Sequence, residues 1–152
     1  MNQLKLRPVQ KSDIELIFKW SNDEEVRKNS FHTEAIKWEE HVKWFKKVLQ
    51  NNAVLFWILT DRHKNIGQIR LDFENKNEAI ITYDIDKEYR FKGYGKEILR
   101  LAEETLRENF INEITLYAFV KNENRSSQIV FEKMDYKIIE KNNNFIKYCK
   151  II

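Results

Sequence analysis

The sequence predicts one α+β domain in which a mixed, mostly antiparallel central sheet is flanked by helices. The chain has 152 residues, which is a usual size for one domain. Apolar residues recur with the period of a strand or of a helix, in the order β, α, α, β, β, β, α, β, α, β, β. Only three glycines and one proline are present, and no linker or repeat divides the chain. We therefore expect a single domain over residues 1–152.

The N-terminal third is expected to form one strand and two helices. Alternation over residues 4–7 predicts a short strand that ends at Pro8. Residues 12–15 have the pattern of a capping box, with a serine at the N-cap, and predict the first helix. Residues 21–35 are polar and irregular, with room for helical turns. Apolar residues at helical spacing predict a second helix over residues 38–50.

The remainder of the chain contains most of the predicted sheet. Residues 53–60 form a continuous apolar run with aromatic and β-branched members, which is typical of a buried strand. Apolar and polar side chains alternate over residues 68–73, so Ile69 and Arg70 are expected on opposite faces. Further strands are predicted at residues 79–86, 113–120, 136–139 and 145–151, and further helices after the loop at 90–96 and at 125–134.

Charge and composition exclude several classes of function. Lys and Arg number 27 and Asp and Glu 24, a formal net charge of +3, which is too balanced to indicate a nucleic-acid or anionic-membrane partner. The longest apolar run is far shorter than the ~18–20 residues that span a bilayer, and no signal peptide is recognised. One cysteine, Cys149, allows neither an intrachain disulfide nor a multi-cysteine zinc site. We expect a cytoplasmic protein without a metal site.

A loop between a strand and a long helix is the segment that points most directly to chemistry. Gly93 and Gly95 let the backbone bend so that several N–H groups converge beside the positive end of the helix, which is a site for a phosphate or pyrophosphate. The dinucleotide fingerprint needs a third glycine where Ile98 stands, and no P-loop pattern is present. An ordinary glycine turn that caps a helix is the alternative. The loop comprises Arg90, Phe91, Lys92, Gly93, Tyr94, Gly95 and Lys96, whose three cations add positive charge.

This loop and a downstream segment together resemble the GNAT superfamily of N-acetyltransferases. The pattern Arg-x-x-Gly-x-Gly, which begins at Arg90, is similar to the coenzyme A pyrophosphate loop of that superfamily. Residues 120–136, with Asn124 and Ser127, resemble its second signature, in which an Asn ends a strand-to-helix turn and an aromatic side chain lies along the pantetheine arm. The resemblance implies a GNAT-like acyl-CoA acyltransferase fold, acetyl-CoA as co-substrate, and direct transfer to an amine without a metal.

The resemblance also implies which residues hold acetyl-CoA. Backbone groups where one strand splays from the next would bind the pantetheine and the acetyl carbonyl; these belong to Tyr83, Asp84 and Ile85. The N–H of Ile85 would donate to the thioester oxygen, on which negative charge develops. Residues 91–96 would cradle the pyrophosphate through backbone N–H groups. Asn124 would hydrogen-bond to the pantetheine, and Phe131 would lie along it.

Two departures from the family pattern leave the acid and the base open. Many members have a Tyr where Phe131 stands, and that Tyr protonates the departing thiolate. Here Ser127 or a water is expected to substitute, or coenzyme A leaves as a thiolate. Many members have a Glu at the position of Ile80 as general base. The carboxylates that remain as candidate bases, acting through water, are Glu78, Asp84 and Asp72.

A third departure predicts a backbone conformation. A Gly is usual in the family where Asp135 stands, directly after the last helix. Asp tolerates the left-handed conformation better than most residues. We therefore predict a positive φ at Asp135.

Three N-terminal segments concern the amine that is acetylated. Residues 20–31, 41–45 and 68–72 together resemble the acetyltransferases of the pseudaminic-acid pathway, which act on the 4-amino group of a UDP-linked amino sugar. The first segment is also similar to ribosomal-protein N-terminal acetyltransferases. The residues expected to hold a diphosphate are Arg27, Lys28 and Arg70, and those expected to stack on uracil or sugar are Trp20 or Trp44. His41 is interpreted either as a helix-surface residue or as a base.

Three hypotheses of function therefore stay open. The chain acetylates a nucleotide-linked amino sugar, or it acetylates a protein or peptide N-terminus, which would need an open groove and a carboxylate for the α-amine. A catalytically silent module that binds acyl-CoA is the third, and Phe131 and Ile80 favour it. No nucleic-acid or membrane partner is expected, because basic and acidic residues are interspersed. The oligomeric state is open, with a homodimer as one option.

Overall fold

The computed structural model describes residues 3–152, which form helices and one seven-stranded sheet. The strands are β1 (Leu4–Pro8), β2 (Val54–Asp61), β3 (Lys64–Asn75), β4 (Glu78–Ile85), β5 (Thr115–Lys121), β6 (Lys137–Lys141) and β7 (Phe145–Ile151). The helices are α1 (Ile14–Ser21), α2 (Glu24–Lys28), α3 (Trp38–Gln50), α4 (Tyr94–Asn109) and α5 (Arg125–Lys133). The sheet order is β1-β2-β3-β4-β5-β7-β6, with β4 and β5 parallel and every other pair antiparallel. The predicted α+β class is confirmed.

The two faces of the sheet pack on different helices. On β2, Trp57 belongs to the core formed with α4 and α5, whereas Ile58 belongs to the core formed with α1 and α3. Side chains alternate along each strand, and cross-strand pairing carries this alternation to β4. Tyr83 therefore lies on the α4 face and Asp84 on the α1 face. None of the helices within residues 3–152 has both the length and the apolar character needed to cross a bilayer.

The predicted capping box at residues 12–15 is wrong. A 3-10 turn, Lys11–Asp13, precedes α1, and the reciprocal capping bonds are made by Gln10 and Asp13. The Asp13 carboxylate accepts from the Gln10 N–H at 2.8 Å and from two nitrogens of Arg7 at 2.8 and 2.9 Å. Because this ion pair holds Asp13 ahead of the helix, the serine of the predicted box lies inside the turn.

The polar stretch at residues 21–35, which has room for helical turns, contains the short helix α2. Asp23 caps this helix by accepting from the N–H groups of Glu25 at 3.1 Å and Val26 at 3.3 Å. Asn22 holds the irregular segment that follows α2. The side-chain nitrogen of Asn22 donates to the Ile36 carbonyl at 2.9 Å, and its side-chain oxygen accepts from the Ile36 N–H at 2.7 Å. Residues 29–37 are therefore anchored by hydrogen bonds although they lack regular structure.

The predicted positive φ at Asp135 is confirmed, with a value of 67°. The N–H of Asp135 donates to the Glu132 carbonyl at 3.1 Å, and the N–H of Tyr136 donates to the Phe131 carbonyl at 3.0 Å. These two bonds form a Schellman motif, which requires a left-handed residue at this position and closes the end of α5.

Candidate active site

A gap opens in the centre of the sheet where the parallel strands β4 and β5 separate. Their pairing reaches Ile80 on β4 and then ends. The N–H of Asp86 donates to the Ile66 carbonyl on the β3 side at 2.8 Å. In an antiparallel ladder such bonds involve alternate residues, so the N–H groups of Tyr83 and Ile85 point away from β3 and into the gap. Backbone donors are thus available in the middle of the sheet.

A cleft of about 1090 Å³ includes this gap and is lined by residues of both faces. Predicted site residues that line it are Arg27, Arg70, Tyr83, Asp84, Ile85, Arg90, Phe91, Gly93, Tyr94, Gly95, Lys96, Asn124, Ser127 and Phe131. Predicted site residues outside its lining are Trp20, Lys28, His41, Trp44, Asp72, Glu78 and Lys92. Nearly all residues expected to hold acetyl-CoA are therefore brought together, whereas most of those expected to hold the amine are not.

The glycine loop has the geometry of an anion-binding helix start. Gly93 has a φ of 87° at the N-cap of α4 and supplies no side-chain cap, and Phe91 also has a positive φ of 63°. The first N–H groups of α4 are therefore left for a ligand at the positive end of the helix dipole. A Cβ at Gly95 would lie 3.3 Å from Val130, so α4 and α5 approach closely beneath the cleft. This loop fits a pyrophosphate.

Two cations of this loop, Arg90 and Lys92, do not add positive charge to the phosphate site as the sequence predicted. Arg90 donates to the Asp23 carboxylate at 2.6 Å and to the Ile85 carbonyl at 3.0 Å. Its charge is therefore largely neutralised, and it braces β4 against the start of α2. Lys92 lies over the ring of Tyr89, 5.8 Å from the centroid, and faces solvent. Of the three predicted cations, Lys96 is the one that lines the cleft without an ion-pair partner among residues 3–152.

Asp84 is a buried carboxyl group on the α1 face of the gap. Its Oδ2 accepts from the Gln68 side-chain amide at 2.9 Å, whereas its buried Oδ1 has no hydrogen-bond partner among residues 3–152. Burial raises the pKa of Asp84 to about 7, despite the opposing effects of the Gln68 hydrogen bond and the nearby charge of Arg90. A carboxyl group with such a pKa, beside backbone donors, has the properties of a general base at neutral pH.

The other two candidate bases lie outside the cleft and are occupied. Asp72 accepts from Arg70 at 3.0 Å and is partly exposed. Glu78 accepts from the Tyr117 hydroxyl at 2.7 Å and from Asn75 at 2.8 Å, at the opposite end of β4 from the gap. Glu78 does share the α1 face with Asp84, as its spacing predicts, but the length of the strand separates the two carboxylates.

A hydroxyl pair lies on the α4 face of the gap. The Tyr83 hydroxyl and Ser127 Oγ are 3.3 Å apart. Burial raises the pKa of Tyr83 to about 12, although the Ser127 hydrogen bond opposes this. Phe131 is 3% exposed and packs edge-on against the Tyr83 ring, with centroids 5.8 Å apart. Asn124 caps α5 by accepting from the Ser127 N–H at 3.3 Å, which fixes Ser127 toward the cleft.

The two arginines on the α1 face have different roles. Arg27 donates to the backbone carbonyls of Ser21 and His32, each at 2.7 Å, and to Ser30 Oγ at 3.2 Å. It therefore holds residues 29–37 in place and has few donors left for a ligand. Arg70 lies over the ring of Trp44, 5.2 Å from the centroid, and its Nε donates to Asp72 at 3.0 Å. It lines the cleft, and its two terminal nitrogens are left for a ligand.

An aromatic wall that the sequence reasoning missed completes the α1 face. It consists of Phe31, Phe119 and Phe145, all of which line the cleft. Phe31 is 52% exposed and lies edge-on to Phe145 with centroids 6.2 Å apart, and Phe119 is 5.3 Å from Phe145. The sequence did contain a signal for this wall. Phe119 lies between the apolar Ala118 and Val120, so both faces of this strand beside the gap carry apolar side chains. One face of that strand therefore had to be covered by something other than the core.

Trp20 and His41 lie in the core rather than at the cleft. Trp20 is 3% exposed, and its indole N–H donates to Asp86 at 2.7 Å. His41 is 1% exposed, bonds to the Ile14 carbonyl at 2.9 Å, and stacks on Phe45. Burial lowers the pKa of His41, which keeps the imidazole neutral. Both side chains are buried in the core around α1 and α3, so neither can contact a substrate.

The other two residues expected to contact the acceptor also lie outside the lining of the cleft. Lys28 is exposed, and Trp44 lies beneath Arg70.

Comparison with known proteins agrees with this geometry. Residues 3–137 match the sequence model of a family described as an acetyltransferase (GNAT) domain. Acetyltransferase PseH of Campylobacter jejuni is 30% identical over 142 residues, which cover 90% of this chain and 85% of that protein. The structure of C. jejuni N-acetyltransferase PseH in complex with acetyl coenzyme A superposes with a TM-score of 0.75, at 21% identity and 97% coverage of both chains.

Two other solved acetyltransferases share the fold. Spermidine N-acetyltransferase from Vibrio cholerae, in complex with CoA and spermine, has a TM-score of 0.82 and 19% identity, and 99% of this chain and 95% of that chain are covered. RimL, a ribosomal L7/L12 alpha-N-protein acetyltransferase in complex with coenzyme A, has a TM-score of 0.79 and 15% identity, and 100% of this chain and 96% of that chain are covered. Chains with this architecture therefore serve amines of very different kinds.

Proposed function

The chain belongs to the GNAT family of acetyl-CoA-dependent N-acetyltransferases, and from this premise we propose that its acceptor is the amine of a nucleotide-linked amino sugar. One observation carries the proposal. The α1 face of the cleft combines a single buried carboxyl, Asp84, with an arginine backed by aromatic rings, Arg70, and a wall of three phenylalanines. These are the groups that recognise an amine, a phosphate and an apolar sugar or base face, respectively.

Charge along the cleft favours an anionic acceptor over a polyamine. The lining cations without an ion pair within residues 3–152 are Arg27, Lys87, Lys96 and Lys133, whereas Arg70 and Arg90 pair with Asp72 and Asp23. The acidic residues of the lining are Glu25 and Asp84. A polyamine carries several ammonium groups, each of which needs a carboxylate or comparable acceptor when it is desolvated. Asp84 can serve one amine, and the exposed Glu25 is the sole further carboxylate among the described lining residues.

Recognition of the acceptor rests on Arg70 and the phenylalanine wall. Trp44 and Phe56 support the guanidinium of Arg70 from 5.2 and 5.9 Å, so its planar fork is held in one orientation. Such a fork donates two parallel hydrogen bonds to a phosphate oxygen pair. The exposed ring of Phe31 offers a flat apolar surface for the sugar or the base, in the role that Trp20 and Trp44 do not take.

The chemistry follows from the groups that meet at the gap. Asp84, ionised near neutral pH, accepts the proton that the amine loses as its nitrogen attacks the thioester carbon. The N–H of Ile85 donates to the oxygen on which negative charge develops. The loop at residues 91–96 and Asn124 hold the coenzyme in place, so most of the rate enhancement comes from orientation and electrostatics.

A direct competition between acceptors tests the proposal. The protein and acetyl-CoA are incubated separately with a UDP-linked 4-amino sugar, with spermidine and with a peptide that has a free N-terminus, and thiol release is recorded. We expect kcat/KM for the sugar to exceed the other two values by about 100-fold. A higher kcat/KM for spermidine or for the peptide would refute the proposed acceptor.

The Arg70→Gln variant tests the contact with the acceptor. Loss of one bidentate contact to phosphate, which is worth about 1.5–3 kcal/mol, should raise the KM for the sugar by at least about tenfold. The KM for acetyl-CoA should change by less than about twofold, because Arg70 lies on the α1 face. An equal rise in both KM values would mean that Arg70 acts on the cleft as a whole.

A further inference from the structure

A row of three side chains crosses the α1 face of the sheet and ends at Asp84. Residues that lie opposite each other in antiparallel strands have their side chains on the same face. Ile58 on β2 pairs with Gln68 on β3, which in turn pairs with Asp84 on β4. Ile58 is fully buried and Gln68 is 7% exposed. The Gln68 side chain is therefore enclosed between an apolar neighbour and a carboxyl group.

Gln68 is the direct hydrogen-bond partner of Asp84. Its side-chain nitrogen donates to Asp84 Oδ2 at 2.9 Å, and this is the one side-chain hydrogen bond of Gln68 within residues 3–152. In the same part of the chain, the buried Oδ1 of Asp84 has no partner. The contact with Gln68 therefore fixes one oxygen of the carboxyl group at the gap.

The charged groups around Asp84 are bonded to other partners. Those whose charge acts on Asp84 are Asp23, Arg27, Arg70 and Arg90. Arg90 pairs with Asp23 at 2.6 Å, Arg70 pairs with Asp72 at 3.0 Å, and Arg27 donates to backbone carbonyls. The next carboxylate along the chain, Asp86, accepts from the indole N–H of Trp20 at 2.7 Å. A neutral amide, and no guanidinium, thus contacts the Asp84 carboxyl group.

We propose that Gln68 is a positioning residue, whose amide holds the Asp84 carboxyl group in place at the gap and stabilises its ionised form. The inference rests on the proposed function in one respect, since it takes Asp84 as the group that accepts the proton of the amine. That proton passes from the amine nitrogen to Asp84 and is later released to solvent, while Gln68 keeps its own protons throughout.

An amide suits a general base better than an arginine does. Burial raises the pKa of Asp84 to about 7, and the Gln68 hydrogen bond is the largest of the effects that oppose this rise. Without the amide, the carboxyl group would keep its proton above neutral pH. A direct ion pair with an arginine would hold Asp84 ionised far below neutral pH and make it a weak base. Gln68 therefore leaves Asp84 both ionised in part and basic.

The proposal is tested first on the protein without coenzyme or acceptor. The pKa of Asp84 is measured from the pH dependence of the NMR shift of its carboxyl carbon, which is assigned by its absence in Asp84→Asn. Gln68→Leu removes the amide, keeps the approximate size of the side chain, and should raise this pKa by about one unit or more. Gln68→Lys places an ammonium group beside the carboxylate and should lower it. Equal pKa values in the three proteins, or a lower value in Gln68→Leu, would overturn the proposal.

Gln128→Leu is the matched control for the loss of a buried amide. Gln128 is 3% exposed and donates to the backbone carbonyls of Lys121 and Asn122 at 3.1 and 3.0 Å, outside the lining of the cleft. This variant should melt at a lower temperature and leave the pKa of Asp84 unchanged. A rise in that pKa as large as the rise in Gln68→Leu would contradict a specific role of Gln68.

The pH dependence of kcat/KM, for whichever amine is turned over, separates positioning from a structural role. In Gln68→Leu, kcat/KM should be about fivefold lower at pH 7 and within about twofold of the unmodified protein at pH 9, where Asp84 is ionised in both. A loss of the same size at both pH values would overturn the proposal. A raised pKa of Asp84 together with an unshifted pH profile would confirm the effect of Gln68 on Asp84 and would instead refute the proposed role of Asp84 as the base.

Discussion

The two sides of the cleft are built in different ways. The side that faces α4 and α5 binds through the backbone: the glycine loop, the first turn of α4 and the splayed strand β4 present N–H groups. The side that faces α1 and α3 consists of side chains from separate segments of the chain, including Phe31 after α2, Arg70 on β3 and Phe145 on β7. Backbone geometry follows from local sequence, whereas side chains from distant elements meet only through tertiary packing. The first side can therefore be constant among acetyltransferases while the second varies with the amine.

The largest effect is expected from filling the glycine loop. Gly95→Val places a branched side chain where a Cβ already lies 3.3 Å from Val130, and Gly93→Val forces a β-branched residue to a φ of 87°. Either change should reduce the affinity for acetyl-CoA on the order of 100-fold or more, as measured by calorimetry, with the circular dichroism spectrum retained. Lys76→Val, in an exposed turn, is the matched control. An unchanged affinity in both glycine variants would remove the pyrophosphate assignment.

The next largest effect separates the candidate bases. Asp84→Asn should lower kcat by about 100-fold, which is within the usual range for a general base. Glu78→Gln removes the other carboxylate of β4 and should leave kcat within about twofold. In the unmodified protein, kcat/KM should rise with pH through about 7 as Asp84 loses its proton. Loss of activity in Glu78→Gln rather than in Asp84→Asn would reverse the assignment.

Asp84 should also cost stability. Its folded-state pKa of about 7 is above the ordinary value of about 3.9, so the unfolded chain releases this proton first. The contribution of Asp84 to folding is therefore greatest at low pH and is lost as pH rises from about 4 to above 7. Asp84→Asn should melt about 4 °C higher than the unmodified protein at pH 8, and the difference should shrink at pH 5. A lower melting temperature at pH 8 would contradict this account.

A smaller effect is expected for the arginine that holds the acceptor side together. Arg27→Gln removes hydrogen bonds from a guanidinium to backbone carbonyls at residues 21 and 32, worth about 1–3 kcal/mol. Amide hydrogen exchange in residues 29–37 should become faster, and the affinity for acetyl-CoA should stay within about twofold. Loss of coenzyme affinity without faster exchange would show that the two sides of the cleft are not separable.

The smallest effect concerns the buried imidazole between α1 and α3. Burial lowers the pKa of His41 below its ordinary value of about 6.5, so the unfolded chain takes up this proton first as pH falls. Stability should fall as pH drops below about 6.5 and level off once the folded state is also protonated. His41→Gln should reduce the difference in melting temperature between pH 7.5 and pH 5.5. The control is His32→Gln, at an exposed histidine, and an equal change there would refute the role of His41.

Much of the fold could be predicted from the periodicity of apolar residues. The errors arose where tertiary packing, rather than local sequence, decides the structure. The second predicted helix, residues 38–50, coincides with α3, because its apolar stripe repeats over three turns. The start of α1 was misplaced because Arg7, from another element, draws Asp13 into an ion pair that no local pattern reveals. Trp20 and His41 were misassigned for a related reason. A polar or aromatic side chain on a helix has the same local sequence signal whether it faces the core or a ligand.

The alternation of side chains along β4 has one more consequence, for insertions and deletions. A strand has a repeat of two, so adding or removing one residue between Ile80 and Tyr83 would send every later side chain to the opposite layer. The carboxyl group of Asp84 would then face α4 and α5, and the phenol of Tyr83 would face α1 and α3. This short stretch should therefore tolerate insertions and deletions far less than the loops around it. Extra residues in a loop do not change the face of the sheet on which a strand's side chains lie.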